Sequence, residues 1–199
     1  MAYIATSYLT IDVDFWLDPT NPMLTSLFSV LHWAMCHPEI LVVTHHQQIL
    51  KHANTHPADR LVNVDAHSDV CHWKPGEKMG PFNCGTWGAF IEWRQAAVFH
   101  WIHPHTNGGI DKGNCNSSFH WDEKLDWKKT TSKKVCPSRL TVDYLVKLGP
   151  YTGVSISLSP EWSSLPCVEL AKLIARYDER SIKRSHWKNG DTPVIRRKP

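Results

Sequence analysis

Residues 40–69 read ILVVTHHQQILKHANTHPADRLVNVDAHSD and carry the clearest indication of the fold class. Two short apolar runs, 40–44 and 61–64, read as strands, and residues 47–56 between them fit a helix. Neither run alternates apolar with polar side chains, which is typical of parallel strands that helices cover on both faces. Polar residues follow each run directly. The stretch therefore predicts a strand-helix-strand unit of an α/β sheet.

The rest of the chain continues this alternation. The same periodicities predict strands over 3–13, 97–102 and 152–158, and helices over 23–35, 86–94 and 166–180. Residues 140–147 fit either an edge strand or a helix. We predict a three-layer α/β/α architecture with a mainly parallel sheet.

The length of 199 residues favours one main domain. We place this α/β domain at 1–180, with an irregular insertion at about 103–138 that is rich in Gly, Asn and Lys and is expected to form a lid or hairpin. Residues 181–199 are predicted to form a basic C-terminal tail.

Composition excludes several classes of protein. A hydrophobic content of 42% with 21% charged residues is typical of globular proteins and excludes a disordered or low-complexity chain. The net charge of +3 is too small to indicate nucleic-acid binding. No apolar run approaches the length of a membrane span, and no leader pattern opens the chain, so we expect a cytoplasmic protein without a membrane partner. The six cysteines are dispersed, which favours free thiols.

The sharpest chemical signal directly follows the predicted strand 61–64. Asp65, His67 and Asp69 are spaced two apart, so an extended chain would direct all three side chains to one side, where they could bind a metal ion. The alternative is a turn capped by aspartate with a hydrogen-bonded histidine.

Two further clusters follow other predicted strands. Asp12 and Asp14 come at the end of strand 3–13, and His45 and His46 follow strand 40–44, where either histidine could be the ligand. Ligands of such sheets collect at the carboxyl ends of the strands, so we expect the three clusters to meet. Nitrogen and oxygen ligands without thiolate suit an ion such as Mn²⁺, and four carboxylates are enough for two ions.

These motifs resemble a known family. Asp65-Ala66-His67-Ser68-Asp69 resembles the Asp-Ala-His-x-Asp signature of the ureohydrolases, which include arginases and agmatinases. Residues 10–19 resemble that family's Ser-x-Asp-x-Asp-x-x-Asp-Pro signature with one extra residue. The family usually has its Asp-x-Asp motif after the first signature. The resemblance therefore implies an arginase-like fold in which the Asp-x-Asp strand is relocated to the N-terminus.

The closest resemblance is to the small peptide arginases, which convert arginine side chains of ribosomal peptides to ornithine, and it is carried by residues 43–50, 64–70 and 98–104. It implies two Mn²⁺ ions per chain and a water nucleophile that attacks the guanidinium carbon and releases urea. The implied ligands are Asp12 and Asp65 as bridges, His45 and Asp69 at one ion, and His67 and Asp14 at the other.

Substrate roles follow from the same resemblance. Glu161, at the end of strand 153–161, is the candidate to hold the guanidinium, because a carboxylate accepts two parallel N–H bonds from it. His72, His103 and His105 are candidates to protonate the leaving amine. Asn83 and Trp16 are candidate substrate contacts.

We expect a hydrolase that acts on the arginine side chain of a peptide to give ornithine and urea. One alternative is a related enzyme acting on agmatine or an acylated amine. The other is a metal-containing protein that binds a peptide or nucleic acid without turnover. The sequence does not predict the oligomeric state.

Overall fold

The computed structural model describes residues 4–16, 21–67, 69, 82, 84–93, 97–103, 115–121, 127–133, 140–161 and 163–178. The strands are β1 (Ser7–Asp12), β2 (Ile40–Val43), β3 (Arg60–Val64), β4 (Val98–His103), β5 (Cys115–Trp121), β6 (Trp127–Lys133) and β7 (Tyr151–Ser157). The α-helices are α1 (Asn21–Ala34), α2 (Leu50–Thr55), α3 (Val142–Val146) and α4 (Leu165–Asp178).

The strands form one sheet in the order β2-β7-β1-β3-β4-β5-β6. The first five strands in this order are parallel, which confirms the predicted α/β class. At the far edge β5 and β6 add two antiparallel strands, so the segment predicted as a lid or hairpin contributes a β-hairpin pairing to the sheet. No helix among the described residues is both long enough and apolar enough to cross a membrane.

Both faces of the central strand β1 are covered. Leu9 and Ile11 belong to the apolar cluster that includes residues of α1 and α4, whereas Tyr8 belongs to a second cluster with Ala53 of α2. Because side chains alternate along a strand, Thr10 and Asp12 share the face of Tyr8. Any site built on them therefore lies on the α2 side of the sheet.

Two predicted helices are shorter than expected. Within 47–56, a 3₁₀ turn over His46–Ile49 precedes α2. The helix predicted over 86–94 is wrong, since only a 3₁₀ turn over Trp87–Phe90 forms in the described part of that range. Two amide groups of the predicted helix instead bond outside the segment: Gly88 N–H donates to the Asp69 carbonyl, and Glu92 N–H donates to the Asn54 side chain. Residues 140–147 take the helical alternative, as α3.

His100 on β4 makes folding stability depend on pH. Burial, followed by the positive charge of Arg60, lowers the pKa of His100 to about 4. The folded chain thus binds this proton less readily than the unfolded chain, so stability present at neutral pH is lost as pH falls from about 6.5 towards 4. Between pH 7 and pH 5, the free energy of unfolding of His100→Gln should fall by about 2 kcal/mol less than that of the wild type. Urea unfolding at both pH values measures this. His32→Gln, at an exposed position of α1, is the matched control.

Candidate metal centre

Three elements bring acidic and imidazole groups to the carboxyl edge of the sheet. Asp12 is the last residue of β1, and Asp65 follows the last residue of β3. These strands are hydrogen-bonded neighbours, with Ile11 opposite Val64, so the two aspartates leave the sheet side by side. His46 begins the 3₁₀ turn after β2 and is buried.

His46 lies at the centre of the first group of ligand atoms. Its Nδ1 is 2.7 Å from an oxygen of Asp69, 3.0 Å from one of Asp65 and 3.1 Å from one of Asp12. Despite these distances, Nδ1 makes no hydrogen bond of acceptable angle with the described residues. One nitrogen and three oxygens thus converge without forming directed pairs. Such convergence is typical of groups that share a metal ion.

The other nitrogen of His46 is held by a residue that the sequence analysis missed. Nε2 lies 2.6 Å from the hydroxyl of Thr10, which is fully buried on β1. Metal-binding histidines usually donate their second ring N–H to such a partner, which fixes the ring and leaves the first nitrogen for the metal. Thr10 could have been found by its spacing, because it shares the strand face of Asp12.

The carboxylates require positive charge at this point. Burial lowers the pKa of His46, but the negative charges of Asp12 and Asp69 outweigh this effect and raise that pKa well above its usual value.

Trp87 covers the first group from one side. Its indole N–H donates to Asp69 at 2.7 Å, and its ring packs 4.8 Å from the His46 ring. The 3₁₀ turn after residue 86 therefore closes one side of the site.

Asp14, Asp65 and His67 form a second group. His67 Nδ1 lies 2.9 Å from Asp14 Oδ2 and 3.7 Å from Asp65 Oδ1. Hydrogen bonding to Asp14, and then to Asp65, raises the pKa of His67 to about 11. Both groups have the donor types and spacing of a metal site, and Asp65 belongs to each of them. The structure thus brings together Asp14, Asp65 and His67, which the resemblance placed around one ion.

The backbone that delivers these ligands is turned, so the predicted extended conformation after β3 is wrong. The His67 N–H donates to Asp65 Oδ1 at 2.7 Å, which closes a tight turn, and Asp69 has a left-handed φ of 55°. After β1, the Asp14 N–H similarly donates to Asp12 Oδ1 at 3.2 Å. Aspartate side chains favour such turns because they accept hydrogen bonds from the amides two residues on.

Burial makes this concentration of carboxylates costly. Asp12, Asp14, Asp65 and Asp69 are each no more than 5% exposed. Burial raises the pKa of Asp12 to about 6 despite His46, and burial together with the charge of Asp65 raises that of Asp14 to about 6. Buried carboxylates are stable only when a cation or hydrogen bonds offset their charge. A nitrogen-and-oxygen donor set with one orphaned imidazole nitrogen fits divalent metal ions.

No protein-family model, curated protein or solved structure matches this chain.

Several predicted site residues lie outside the two groups. The structure places His46, and not His45, among the carboxylates, because His45 precedes the 3₁₀ turn in an extended conformation. His45 Nδ1 lies 3.4 Å from Glu161 Oε2. Trp16 is 1% exposed and packs edge-on against Phe15, so it belongs to the core and is not available to stack on a substrate.

The remaining candidates are the proposed proton donors and Asn83. His72, Asn83 and His105 lie outside the described residues, and His103 is described only as the last residue of β4.

Ser159 is a further residue that the sequence analysis missed. Its hydroxyl donates to Asp12 Oδ2 at 2.6 Å and lies 2.9 Å from the Ser157 hydroxyl. The signal was the buried alternation of Ser155, Ser157 and Ser159 at the end of an otherwise apolar strand. These contacts make Ser159 an orienting partner of the Asp12 carboxylate.

Ser159→Ala should weaken Mn²⁺ binding about 10- to 100-fold, the usual cost of losing such a partner. Isothermal titration of the full chain with Mn²⁺ measures the change. Ser163→Ala is the matched control, since that hydroxyl donates to the Leu158 carbonyl. Equal affinities in the two variants would contradict an orienting role for Ser159.

Proposed function

We propose that this chain is a binuclear-manganese hydrolase of the ureohydrolase type, which cleaves the guanidinium of an arginine side chain in a peptide to give ornithine and urea. The observation that carries the proposal is the pair of ligand groups that share Asp65. A carboxylate with two oxygens can contact two ions at once, and paired ions in hydrolases share bridging ligands of this kind.

The spacing of the ligand atoms supports the metal assignment. Octahedral ions with bonds of about 2.1 Å place neighbouring ligand atoms about 3 Å apart. The His46 Nδ1 distances of 2.7, 3.0 and 3.1 Å to three carboxylate oxygens lie close to this value. Thr10 behind His46 and Ser159 behind Asp12 supply the outer hydrogen bonds that orient such ligands.

When bound, two metal ions would supply a water nucleophile activated near neutral pH. The chain's own residues would hold the substrate against it. Glu161 follows Ser159 by two residues, and its carboxylate can accept two parallel N–H bonds from a guanidinium. His45, 3.4 Å from Glu161, lies beside that carboxylate and next to the ligand His46. His72 and His103 remain the proposed proton donors to the leaving amine.

The exposure of the site favours a side chain of a peptide over an enclosed small molecule. The side chains of His67 and Glu161 are 54% and 56% exposed, whereas the carboxylates behind them are buried. An arginine side chain is long enough to reach inward while its backbone stays outside. Glu161 and His67 thus mark the side from which the substrate enters.

The test is urea release by the full chain loaded with Mn²⁺. A peptide with one arginine should give urea and an ornithine-containing product by mass spectrometry, and the same peptide with lysine should give neither. Glu161→Gln should raise KM by more than about tenfold, because the charge-assisted bonds to the guanidinium are lost. Glu169→Gln, at an exposed position of α4, is the matched control.

Other outcomes select the alternative functions. Urea from agmatine but not from the peptide would assign a small guanidine as substrate, and release of an amine without urea would assign an acylated amine. Salt-sensitive peptide or nucleic-acid binding without any product would make the chain a metal-containing binding protein.

A further inference from the structure

A third group of ligand atoms lies at the opposite end of the sheet from the carboxylates. Glu39 immediately precedes β2, His52 lies on α2, and His56 caps the C-terminus of that helix. One ligand atom from each lies within 4.8 Å of the others. The segment that starts at His46 thus runs back along the sheet and carries these two histidines to the amino edge.

The hydrogen bonds of His56 determine which nitrogen can bind a metal. Its Nδ1 lies 2.8 Å from the His52 carbonyl oxygen, which only accepts, so Nδ1 carries the proton. In the neutral ring Nε2 then presents a lone pair. Nε2 lies 3.4 Å from Glu39 Oε2, so the lone pair of the neutral ring and the carboxylate are close enough to bind one cation between them.

His52 is oriented from the interior. Its Nδ1 lies 2.8 Å from the hydroxyl of Tyr8, which is fully buried on β1. The His52 and His56 rings lie 4.2 Å apart between centroids. Buried hydroxyl and carbonyl partners that fix imidazole rings from behind are typical of the outer hydrogen bonds of metal sites.

Gly153 on β7 gives the two rings their space. A Cβ atom there would lie 3.0 Å from His56 Cγ, 3.0 Å from Tyr8 Cε2 and 3.2 Å from His52 Cε1. Glycine weakens a strand, so its presence inside β7 needs a reason. Close approach of the histidine pair to the backbone supplies that reason.

We propose that Glu39, His52 and His56 bind one zinc-class divalent ion, independently of the carboxylate-rich centre. Two imidazoles and one carboxylate form a ligand set that zinc uses when its fourth position is open to water or another ligand. Glu39 is exposed, so the fourth position faces solvent. The ion would join the start of β2 to the end of α2. Imidazole-rich sites favour zinc, while carboxylate-rich sites favour manganese, so the two centres should separate these metals.

The experiment is Co²⁺ titration of the full chain after loading with Mn²⁺, because four-coordinate Co²⁺ has intense visible absorption bands. We expect one Co²⁺ per chain with such bands, displaced by Zn²⁺. Glu39→Gln and His56→Gln should each weaken Co²⁺ binding by more than about tenfold. Tyr8→Phe should weaken it about tenfold through His52. His32→Gln and Asp65→Asn should leave the bands unchanged.

Each outcome decides the proposal. Bands that persist unchanged in Glu39→Gln would overturn it, and this exposed position keeps the test valid if His56→Gln fails to fold. Bands lost in Asp65→Asn but kept in Glu39→Gln would place the cobalt at the carboxylate-rich centre and would also overturn it. Loss of the bands in Glu39→Gln would support the proposed zinc-class site. If Asp65→Asn keeps the bands but releases no urea, the carboxylate-rich centre is supported as a separate site.

Discussion

Replacing Asp65 with asparagine is expected to abolish binding of the two proposed manganese ions and to lower the proposed urea release by more than about 100-fold, the upper end of the loss for outer hydrogen-bond partners of a metal site. Asp65 is the residue that both ligand groups share. An amide has no negative charge and only one oxygen, so it cannot bridge two ions. Elemental analysis of the dialysed chain and the urea assay together measure this result.

Thermal unfolding gives an independent measure of the Asp65→Asn effect. A ligand at 100 times its Kd stabilises the folded chain by about 2.7 kcal/mol, so Mn²⁺ should raise the melting temperature of the wild type but not of Asp65→Asn. Asp143→Asn makes the same chemical change at an exposed position of α3 and should behave as wild type. Two ions retained in Asp65→Asn would contradict the shared-carboxylate arrangement.

Exchanging each of two adjacent histidines for glutamine should have opposite outcomes. His46→Gln is expected to lose the ion at the Asp12 group and to lower activity by more than about 100-fold, because the buried ring supplies the nitrogen that faces three carboxylates. His45→Gln should keep both ions. Its effect should be confined to substrate binding beside Glu161, seen as a higher KM.

Metal content and steady-state kinetics of the two variants provide the measurement. Each variant is the matched control for the other, since they differ by one position in the chain and carry the same substitution. Loss of metal from His45→Gln, with retention in His46→Gln, would reverse the assignment that the structure gives.

Local apolar patterns were enough to predict the parallel strands. The runs at 40–44 and 61–64 became β2 and β3 with bounds shifted by one residue at most. The order of strands was less accessible, because β7 lies between β2 and β1 although more than 100 residues separate it from them in the chain. A longer helix was predicted where only the short turn over Trp87–Phe90 forms, because the amides of Gly88 and Glu92 bond to Asp69 and Asn54, which no local pattern encodes.

For the candidate site, the sequence pattern reached the level of residue types. Aspartates at strand ends predicted that acidic groups gather at the carboxyl edge of the sheet, where the structure places Asp12 and Asp65, since parallel strands share their carboxyl ends. The choice between His45 and His46 depended on where the 3₁₀ turn begins, and one residue of difference reverses which ring is buried. Thr10 contacts His46 and Ser159 contacts Asp12 only because the fold brings together residues that are distant in the chain. In the sequence, only their two-residue spacing from other polar residues indicated a role.

The most direct test of the proposed binuclear centre is the anomalous difference map of a crystal grown with Mn²⁺ and measured at the manganese absorption edge. Two peaks are expected, one on each side of Asp65. The first should contact Asp12 and His46, and the second should contact Asp14 and His67. A single peak, or peaks that do not contact Asp65, would contradict it.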